Sequence, residues 1–227
     1  MSTNTCTRFV GTRDNYIRNT NFIFKGVYDF HGFSIQNSDI NEDTQVIFLV
    51  QSKWNDAKNR DYIRQSFGRI NSLFLSLTYQ TIFLFNLPED TSVLIESEAK
   101  NNKDLLIPNI KLNSDGLMVL SAFQWLAKME SNIQYIVKID TNTMVNLDKL
   151  DEYLYDIFNE NPIRCRKSGE NCIEPFFILS LKSAEKLFRT YEETFLIDNS
   201  RIENYFITGM KSLFSVQLNK FIVFQVN

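Results

Sequence analysis

The chain has 227 residues, of which 44% are hydrophobic, and it carries a net charge of −3. These values predict a folded core and exclude an intrinsically disordered protein. Positive and negative residues are well mixed along the sequence. The sequence therefore predicts no basic face of the kind that binds nucleic acid. No apolar run reaches the roughly 18 residues that a transmembrane segment requires.

Residues 1–45 are polar and have few periodic apolar positions, which predicts an irregular, stem-like lead-in. The first fifteen residues have no apolar core behind a basic end, so they do not predict a signal peptide. His31 is the sole histidine and excludes a His-rich metal site. We place a single domain over residues 46–227.

From residue 46 onward, predicted strands alternate with predicted helices. The strands are expected at residues 46–50, 81–85, 135–140, 176–180 and 221–226. The helices are expected after Asp56, through Glu96 and Glu98, along the apolar stripe of Met118, Ala122, Trp125, Leu126 and Met129, over 147–158, from near Ser183 and from about residue 202. This alternation predicts an α/β fold with a mostly parallel sheet and helices on both faces.

The stretch YIVKIDTNTMVN, residues 135–146, places polar side chains at the carboxyl end of a buried strand. Such strand ends carry the ligand sites of α/β proteins. A metal-bound nucleotide would want two or three carboxylates there, and Asp140 is one. A nucleotide site, the remains of one and a simple turn are all consistent with this pattern.

Other segments offer charged candidates, each with two interpretations. Arg60 and Arg64 share one face of the first helix, where they either hold a phosphate or pair with Asp56 or Asp61 on a solvated face. Glu203, in the first turn of the last predicted helix, is either a partner of the helix dipole or a general base.

Three cysteines, Cys6, Cys165 and Cys172, leave one thiol unpaired under any pairing scheme. Cys165 and Cys172 either close a short loop in an oxidising compartment or stay reduced. The sequence leaves both states open.

Four segments in the right order resemble glycosyltransferase family 31, the β-1,3-galactosyltransferase and N-acetylglucosaminyltransferase group, over roughly residues 46–215. NRDYIRQSFG is similar to its R-x-x-I-R-x-T-W-G segment, and YIVKIDTNTMVNLDKL is similar to y-v-l-K-t-D-D-D-v-F-V-N. CIEPFFILS is similar to C-s-G-G-G-Y-v-l-S, and IENYFITG to E-D-V-(F/Y)-(V/I)-T-G. Together the four matches identify the chain as a divergent member.

The resemblance implies a GT-A fold, a UDP-sugar donor, a manganese ion and inverting transfer to a hydroxyl of a glycan acceptor. It implies nucleotide contacts from Arg60, Arg64 and Asp140, and a metal site at Asp140 and Asn142. It also implies the Golgi or secretory pathway. Because this chain shows neither a signal peptide nor a membrane anchor, a cytosolic location stays open.

The departures from the family pattern fall on its functional positions. Thr141 and Asn142 replace two carboxylates of the Asp triplet, which predicts weak metal binding. Asn204 replaces the catalytic base, which leaves Glu203 as the nearest acid. The three glycines of the family's sugar side are replaced by larger residues: Glu174, Pro175 and Phe176.

Two functional hypotheses follow. The first is a hexosyltransferase of the β-1,3-galactosyltransferase family that glycosylates proteins, with weak or no activity. The second is a non-catalytic member that acts as a binding or partner-stabilising module, a pseudoenzyme. A third interpretation, an unrelated dinucleotide-binding domain, requires a glycine-rich turn that the segment VQSKWND lacks.

Overall fold

The computed structural model describes residues 30–36, 40–68, 75–88, 92–110, 115–129, 131–157, 163–168, 171–193 and 223–225. The strands are β1 (Phe30–Gln36), β2 (Val46–Gln51), β3 (Tyr79–Leu84), β4 (Leu105–Ile110), β5 (Tyr135–Asp140), β6 (Thr143–Val145), β7 (Ile163–Ser168), β8 (Asn171–Ser180) and β9 (Val223–Gln225). The helices are α1 (Ala57–Gln65), α2 (Ser92–Asn102), α3 (Asp115–Ala127), α4 (Leu147–Asp156) and α5 (Leu181–Glu193).

Within the described residues, seven strands form one mixed sheet in the order β1-β4-β3-β2-β5-β8-β7. The central strands β4, β3, β2 and β5 are parallel, whereas β1, β8 and β7 pair antiparallel at the two sides. β2 lies in the middle because its sequence, VIFLVQ, is apolar on both faces. β6 and β9 form a separate antiparallel pair.

Helices cover both faces of this sheet, as the sequence predicts. On one face α3 and α5 pack against Ile47, Leu49 and Ile136. On the other face α1, α2 and α4 pack against Phe48, Val50 and other side chains of the strands. The α3 stripe is confirmed, because Met118, Ala122, Trp125 and Leu126 are buried and Met129 packs against the same core. The predicted α/β class is therefore confirmed.

The lead-in over residues 1–45 is not irregular throughout, and the domain boundary at residue 46 is wrong in this respect. Phe30–Gln36 forms β1 and pairs with β4, so this segment belongs to the sheet. The sequence prediction also missed β4, whose apolar run follows α2 closely. The segment of the last predicted helix, from about residue 202, lies outside the described residues, as do Glu203 and Asn204.

Gly68 is the glycine that ends the NRDYIRQSFG segment, and it closes the turn after α1. Its N–H donates to the Ile63 carbonyl at 2.8 Å. A Cβ at this position would lie 2.8 Å from the same carbonyl oxygen, closer than backbone atoms tolerate. Glycine is therefore required here by close approach of backbone to backbone.

We expect Gly68→Ala to lower the free energy of unfolding by about 1–3 kcal/mol, because the methyl group forces the backbone apart. Urea unfolding followed by circular dichroism measures this change. Gln65→Ala, at an exposed position in the same helix end, is the matched control and should be nearly neutral. Equal stability of the Gly68→Ala variant and wild type would contradict the close-approach explanation.

Candidate functional site

A polar cleft of about 660 Å³ opens where β2 and β5 end. These parallel neighbours end side by side, with Gln51 paired with Asp140. We call this the carboxyl-edge cleft, and residues 51–56 its wall segment. The lining residues come from the wall segment, α1, the start of α3, β5 and the turn after β5: Gln51, Ser52, Lys53, Asn55, Asp56, Asn59, Asp115, Lys138, Asp140, Thr141 and Asn142.

The turn after β5 is closed by the Asp140 carboxylate. Its Oδ1 accepts a hydrogen bond from the Asn142 N–H at 3.1 Å and another from the Thr143 hydroxyl. Asn142 is exposed, whereas Thr143 is buried. The same carboxylate therefore lines the cleft and stabilises its own turn. The turn interpretation is confirmed, whereas a nucleotide site at Asp140 stays a prediction.

Thr141 connects the two sides of the cleft. Its hydroxyl donates to Asp56 Oδ2 at 2.6 Å, across 85 residues of sequence. Asp56 occupies the N-cap position of α1 but makes no side-chain cap hydrogen bond. Sequence reasoning placed Asp56 only at the start of the helix and as a partner for the arginines. Its hydrogen-bond partner, Thr141, lies within reach because β2 and β5 are neighbours in the sheet.

Lys138 is a second site residue that sequence reasoning missed. It lies in β5 with only 1% of its surface exposed, yet it lines the cleft. Its ammonium group lies 5.2 Å from the centroid of the Phe177 ring, in a cation–π contact. The signal in the sequence was a lysine inside an apolar strand, at the lysine position of the y-v-l-K family motif. Asp115, at the start of α3, also lines the cleft.

Arg60 lies at the carboxyl edge of the sheet, beside the segment that follows β2. Its NH1 donates to the Lys53 carbonyl at 2.6 Å and to Ser52 Oγ at 3.0 Å, and its NH2 donates to the Trp54 carbonyl at 3.3 Å. Nε and NH2 form a bidentate pair with Glu98 at 2.8 and 2.6 Å. These bonds engage all five N–H groups of the guanidinium. The arrangement does not support the predicted phosphate contact of Arg60.

Arg64 belongs to the same buried ionic network. It binds Asp104 in a bidentate pair at 2.7 and 2.8 Å, and it also donates to Asp61 and Glu98. Burial acts to lower the pKa of Arg64, but the hydrogen bonds to Asp104 and Glu98 outweigh burial and raise the pKa. Its side chain is only 4% exposed. Its contacts lie within the fold and do not support the predicted nucleotide contact.

The segment that replaces the family glycines coincides with an irregularity between β7 and β8. Cys165 pairs with Phe177 and Arg166 pairs with Ile173, so the intervening residues Glu174, Pro175 and Phe176 form a bulge. A bulge tolerates proline because the missing N–H is not needed for the ladder. Phe176 is only 3% exposed and packs in the core with Ile178. The assignment of Glu174, Pro175 and Phe176 to the sugar side stays a prediction.

Cys165 is disulfide-bonded and lies in β7. Cys172 lies in the neighbouring strand β8, where it pairs with Lys167, whereas Cys165 pairs with Phe177. The predicted proximity of the two segments is confirmed at the level of the backbone. The placement agrees with the oxidised alternative of the sequence prediction.

The manganese ion that the family resemblance implies fits these residues poorly. Asp140 supplies a single carboxylate, one oxygen of which is already held by the turn, and Asn142 brings no charge. The Thr141 hydroxyl is donated to Asp56. In the part of the chain that the structure describes, no group of three or more His, Cys, Asp or Glu side chains is arranged to hold a metal ion.

The fold and the cleft define an α/β protein with a polar cleft at the carboxyl edge of its parallel strands. A sequence model of the family described as Galactosyltransferase matches residues 58–215. That match covers more than half of the chain, which therefore belongs to the galactosyltransferase family. The GT-A-like fold expected for such a member agrees with the central parallel strands and the helices on both faces.

The chain is also similar to human beta-1,3-galactosyltransferase 9, with 29% identity over 117 residues. This similarity covers 49% of the chain and 31% of the human protein, so the chain spans about a third of that relative.

Two solved structures are similar to this chain at low identity. GlyE, a glycosyltransferase of Streptococcus pneumoniae TIGR4, matches 78% of this chain and 45% of its own with 12% identity and a TM-score of 0.43. TarS of S. aureus matches 79% and 59% with 13% identity and a TM-score of 0.47. In the described part of the chain, no helix has the length and apolar character needed to cross a membrane.

Proposed function

We propose that this galactosyltransferase-family chain keeps a cleft for a UDP-sugar and transfers the sugar weakly or not at all to a glycan acceptor. The observation that carries the proposal is the Asp140 turn. One carboxylate stands where the family pattern has three, and its Oδ1 accepts two hydrogen bonds from the turn itself. A divalent cation prefers several charged oxygen ligands, so metal-assisted binding of a diphosphate should be weak here.

The charges around the cleft support the same conclusion. Among its lining residues are three acids, Asp56, Asp115 and Asp140, and two lysines, Lys53 and Lys138. The lining thus carries one net negative charge. This net charge repels a diphosphate that has no bound cation, although Lys53 and Lys138 attract it locally. Nucleotide affinity should therefore be low without an added cation.

The base for transfer stays a prediction, since Glu203 and Asn204 lie outside the described residues. An amide at position 204 does not accept a proton at neutral pH, so transfer would depend on Glu203.

A second candidate function is the non-catalytic one, a binding or partner-stabilising module. The observation that favours it is the contrast between framework and site. The Arg60 and Arg64 contacts with Glu98 and Asp104 are complete, whereas the Asp triplet is reduced to Asp140. A chain that keeps the buried contacts of its fold but lacks two carboxylates of the Asp triplet is suited to a non-catalytic binding role. The family implies the secretory pathway as its compartment, and the disulfide at Cys165 supports this proposal.

Asn142→Asp is expected to tighten manganese binding at least about tenfold, or about 1.4 kcal/mol, because it adds a charged ligand beside Asp140. UDP affinity measured with manganese present should rise with it. Isothermal titration with manganese alone, UDP alone and both together measures these affinities.

Asn55→Asp is the matched control because it adds the same charge to another exposed amide of the cleft lining. Its effect on manganese affinity should be small. An equal gain in both variants would show that general charge, and not the Asp140 turn, controls binding. Sugar transfer should stay undetectable even in an Asn142→Asp, Asn204→Asp double variant. Efficient transfer from a UDP-sugar by the parent chain would overturn the proposal of weak or absent activity.

A further inference from the structure

We propose that Arg60 is a positioning residue that fixes the wall segment and thereby the shape of the carboxyl-edge cleft. Its predicted effect on nucleotide affinity rests on the proposed function, whereas its effect on the wall segment does not. The side chain is 0% exposed, so it acts on a ligand only through the residues that it holds.

Arg60 binds the wall segment at three successive residues. It donates to Ser52 Oγ and to the carbonyl oxygens of Lys53 and Trp54. A loop loses much of its conformational freedom when one rigid guanidinium group binds two of its backbone carbonyls and one of its side chains. Ser52 and Lys53 line the cleft, so the guanidinium lies directly behind the lining.

Glu98 of α2 fixes Arg60 from the opposite side. The carboxylate receives Nε and NH2 in a bidentate pair, which sets the plane of the guanidinium. The ring of Phe85 lies 4.7 Å from the Arg60 guanidinium carbon and packs against its face. With its plane and its face both fixed, the fork presents its remaining donors to the wall segment in one orientation.

The wall segment in turn holds the Asp140 turn. Asp56, at its end, accepts the hydrogen bond from Thr141, the residue after Asp140. A continuous series of contacts therefore runs from Glu98 through Arg60 and the wall segment to the turn that carries the candidate ligands. We infer that the relative position of the two sides of the cleft depends on Arg60.

Arg64 offers an internal comparison because it shares the network without touching the wall segment. Its partners are Asp61, Glu98 and Asp104. It also lies over an aromatic ring, that of Phe83, at 4.8 Å. A change at Arg64 should therefore affect stability without moving the wall segment.

Trp54 reports on the wall segment directly. It is 39% exposed, whereas Trp125, the other of the two tryptophans in the chain, is 8% exposed. Quenching of tryptophan fluorescence by iodide therefore reports mainly on Trp54, and a Trp54→Phe variant identifies the contribution of Trp125. The measurement needs no ligand, so it remains informative even if the cleft binds no nucleotide.

We expect Arg60→Lys to raise the quenching of Trp54 toward a limit of about 2.5-fold, because Trp54 is already 39% exposed and the lysine cannot hold three wall residues. Ser52→Ala removes one wall contact without touching a buried charge and should give a smaller rise. Arg64→Lys should leave quenching unchanged in the folded protein. Urea unfolding of each variant establishes the conditions under which it is folded.

Equal quenching in wild type, Ser52→Ala and Arg60→Lys would overturn the proposal. An equal rise in Arg60→Lys and Arg64→Lys would also overturn it, because the effect would then reflect general loosening. If wild type binds UDP in the titration above, Arg60→Lys should weaken that binding more than Arg64→Lys does. If wild type does not bind UDP, the proposed function fails while the quenching series still tests the role of Arg60.

Discussion

Replacing Glu98 by alanine is expected to lower the free energy of unfolding by about 3–5 kcal/mol, the usual cost of removing one partner from a buried ion pair. The Glu98 carboxylate accepts Nε and NH2 of Arg60 and NH2 of Arg64. Both guanidinium groups stay charged and buried when the carboxylate is removed. The variant therefore loses hydrogen bonds and leaves two cations with incomplete neutralisation. Urea unfolding at neutral pH measures the change.

Glu96→Ala is the control, because Glu96 lies on the same helix and is exposed. Its effect should stay within about 0.5 kcal/mol, as for most surface substitutions. A Glu98→Ala variant that is as stable as Glu96→Ala would show that the network contributes little to folding.

The same carboxyl gives the stability a dependence on pH. Burial acts to raise the pKa of Glu98, but the hydrogen bonds from Arg60 and Arg64 outweigh burial, and the pKa lies below its ordinary value. A carboxyl whose pKa is lowered on folding stabilises the protein above its unfolded pKa, about 4.3 for Glu. This contribution is lost as the pH falls below that value through the folded pKa. The stability difference between wild type and Glu98→Ala should shrink over the same range.

Replacing Asp151 by alanine should also have a large effect, about 3 kcal/mol or more, since each buried donor left without an acceptor costs about 1–3 kcal/mol. Asp151 is a buried residue of α4 that accepts the N–H groups of Ser76 and Leu77 and the hydroxyl of Tyr79. These bonds fasten the segment before β3 to α4. Burial, followed by the hydrogen bond to Asp151, raises the pKa of Tyr79, so the phenol stays a donor.

Thermal and urea unfolding of Asp151→Ala measure this loss, with Glu152→Ala as the exposed neighbour for control. Asp151→Asn keeps the volume and one acceptor oxygen, so it should fall between the two. A stability order that does not place Asp151→Ala lowest would contradict an anchoring role for the carboxylate.

The R-x-x-I-R resemblance acquires a physical meaning from these contacts. Ile63 is buried in the core, and Arg60 and Arg64 are buried beside it with carboxylate partners. The motif therefore specifies how α1 packs over α2 and β3, and Arg60 extends that packing to the wall segment. The retention of this motif in a chain with a reduced Asp triplet is consistent with a framework role.

The sequence by itself determined the elements whose signal is local. The apolar run ending at Asp140 predicted β5, and the stripe from Met118 to Leu126 predicted α3, because strand and helix periodicity are properties of a few neighbouring residues. The family was also determined at this level, since ordered motifs identify it without coordinates. The position of the cleft followed from the rule that parallel strands gather their carboxyl ends at one edge.

Only the tertiary structure decided which side chains meet. Glu98 and Asp104 lie 38 and 40 residues from their arginine partners, and Thr141 lies 85 residues from Asp56. Local periodicity gives the face of a helix but not the surface against which that face packs, so a buried network and a solvated face look alike in sequence. The pairing of β1 with β4 and the contacts of Arg60 with the wall segment depend on the same long-range packing, which no short stretch of sequence contains.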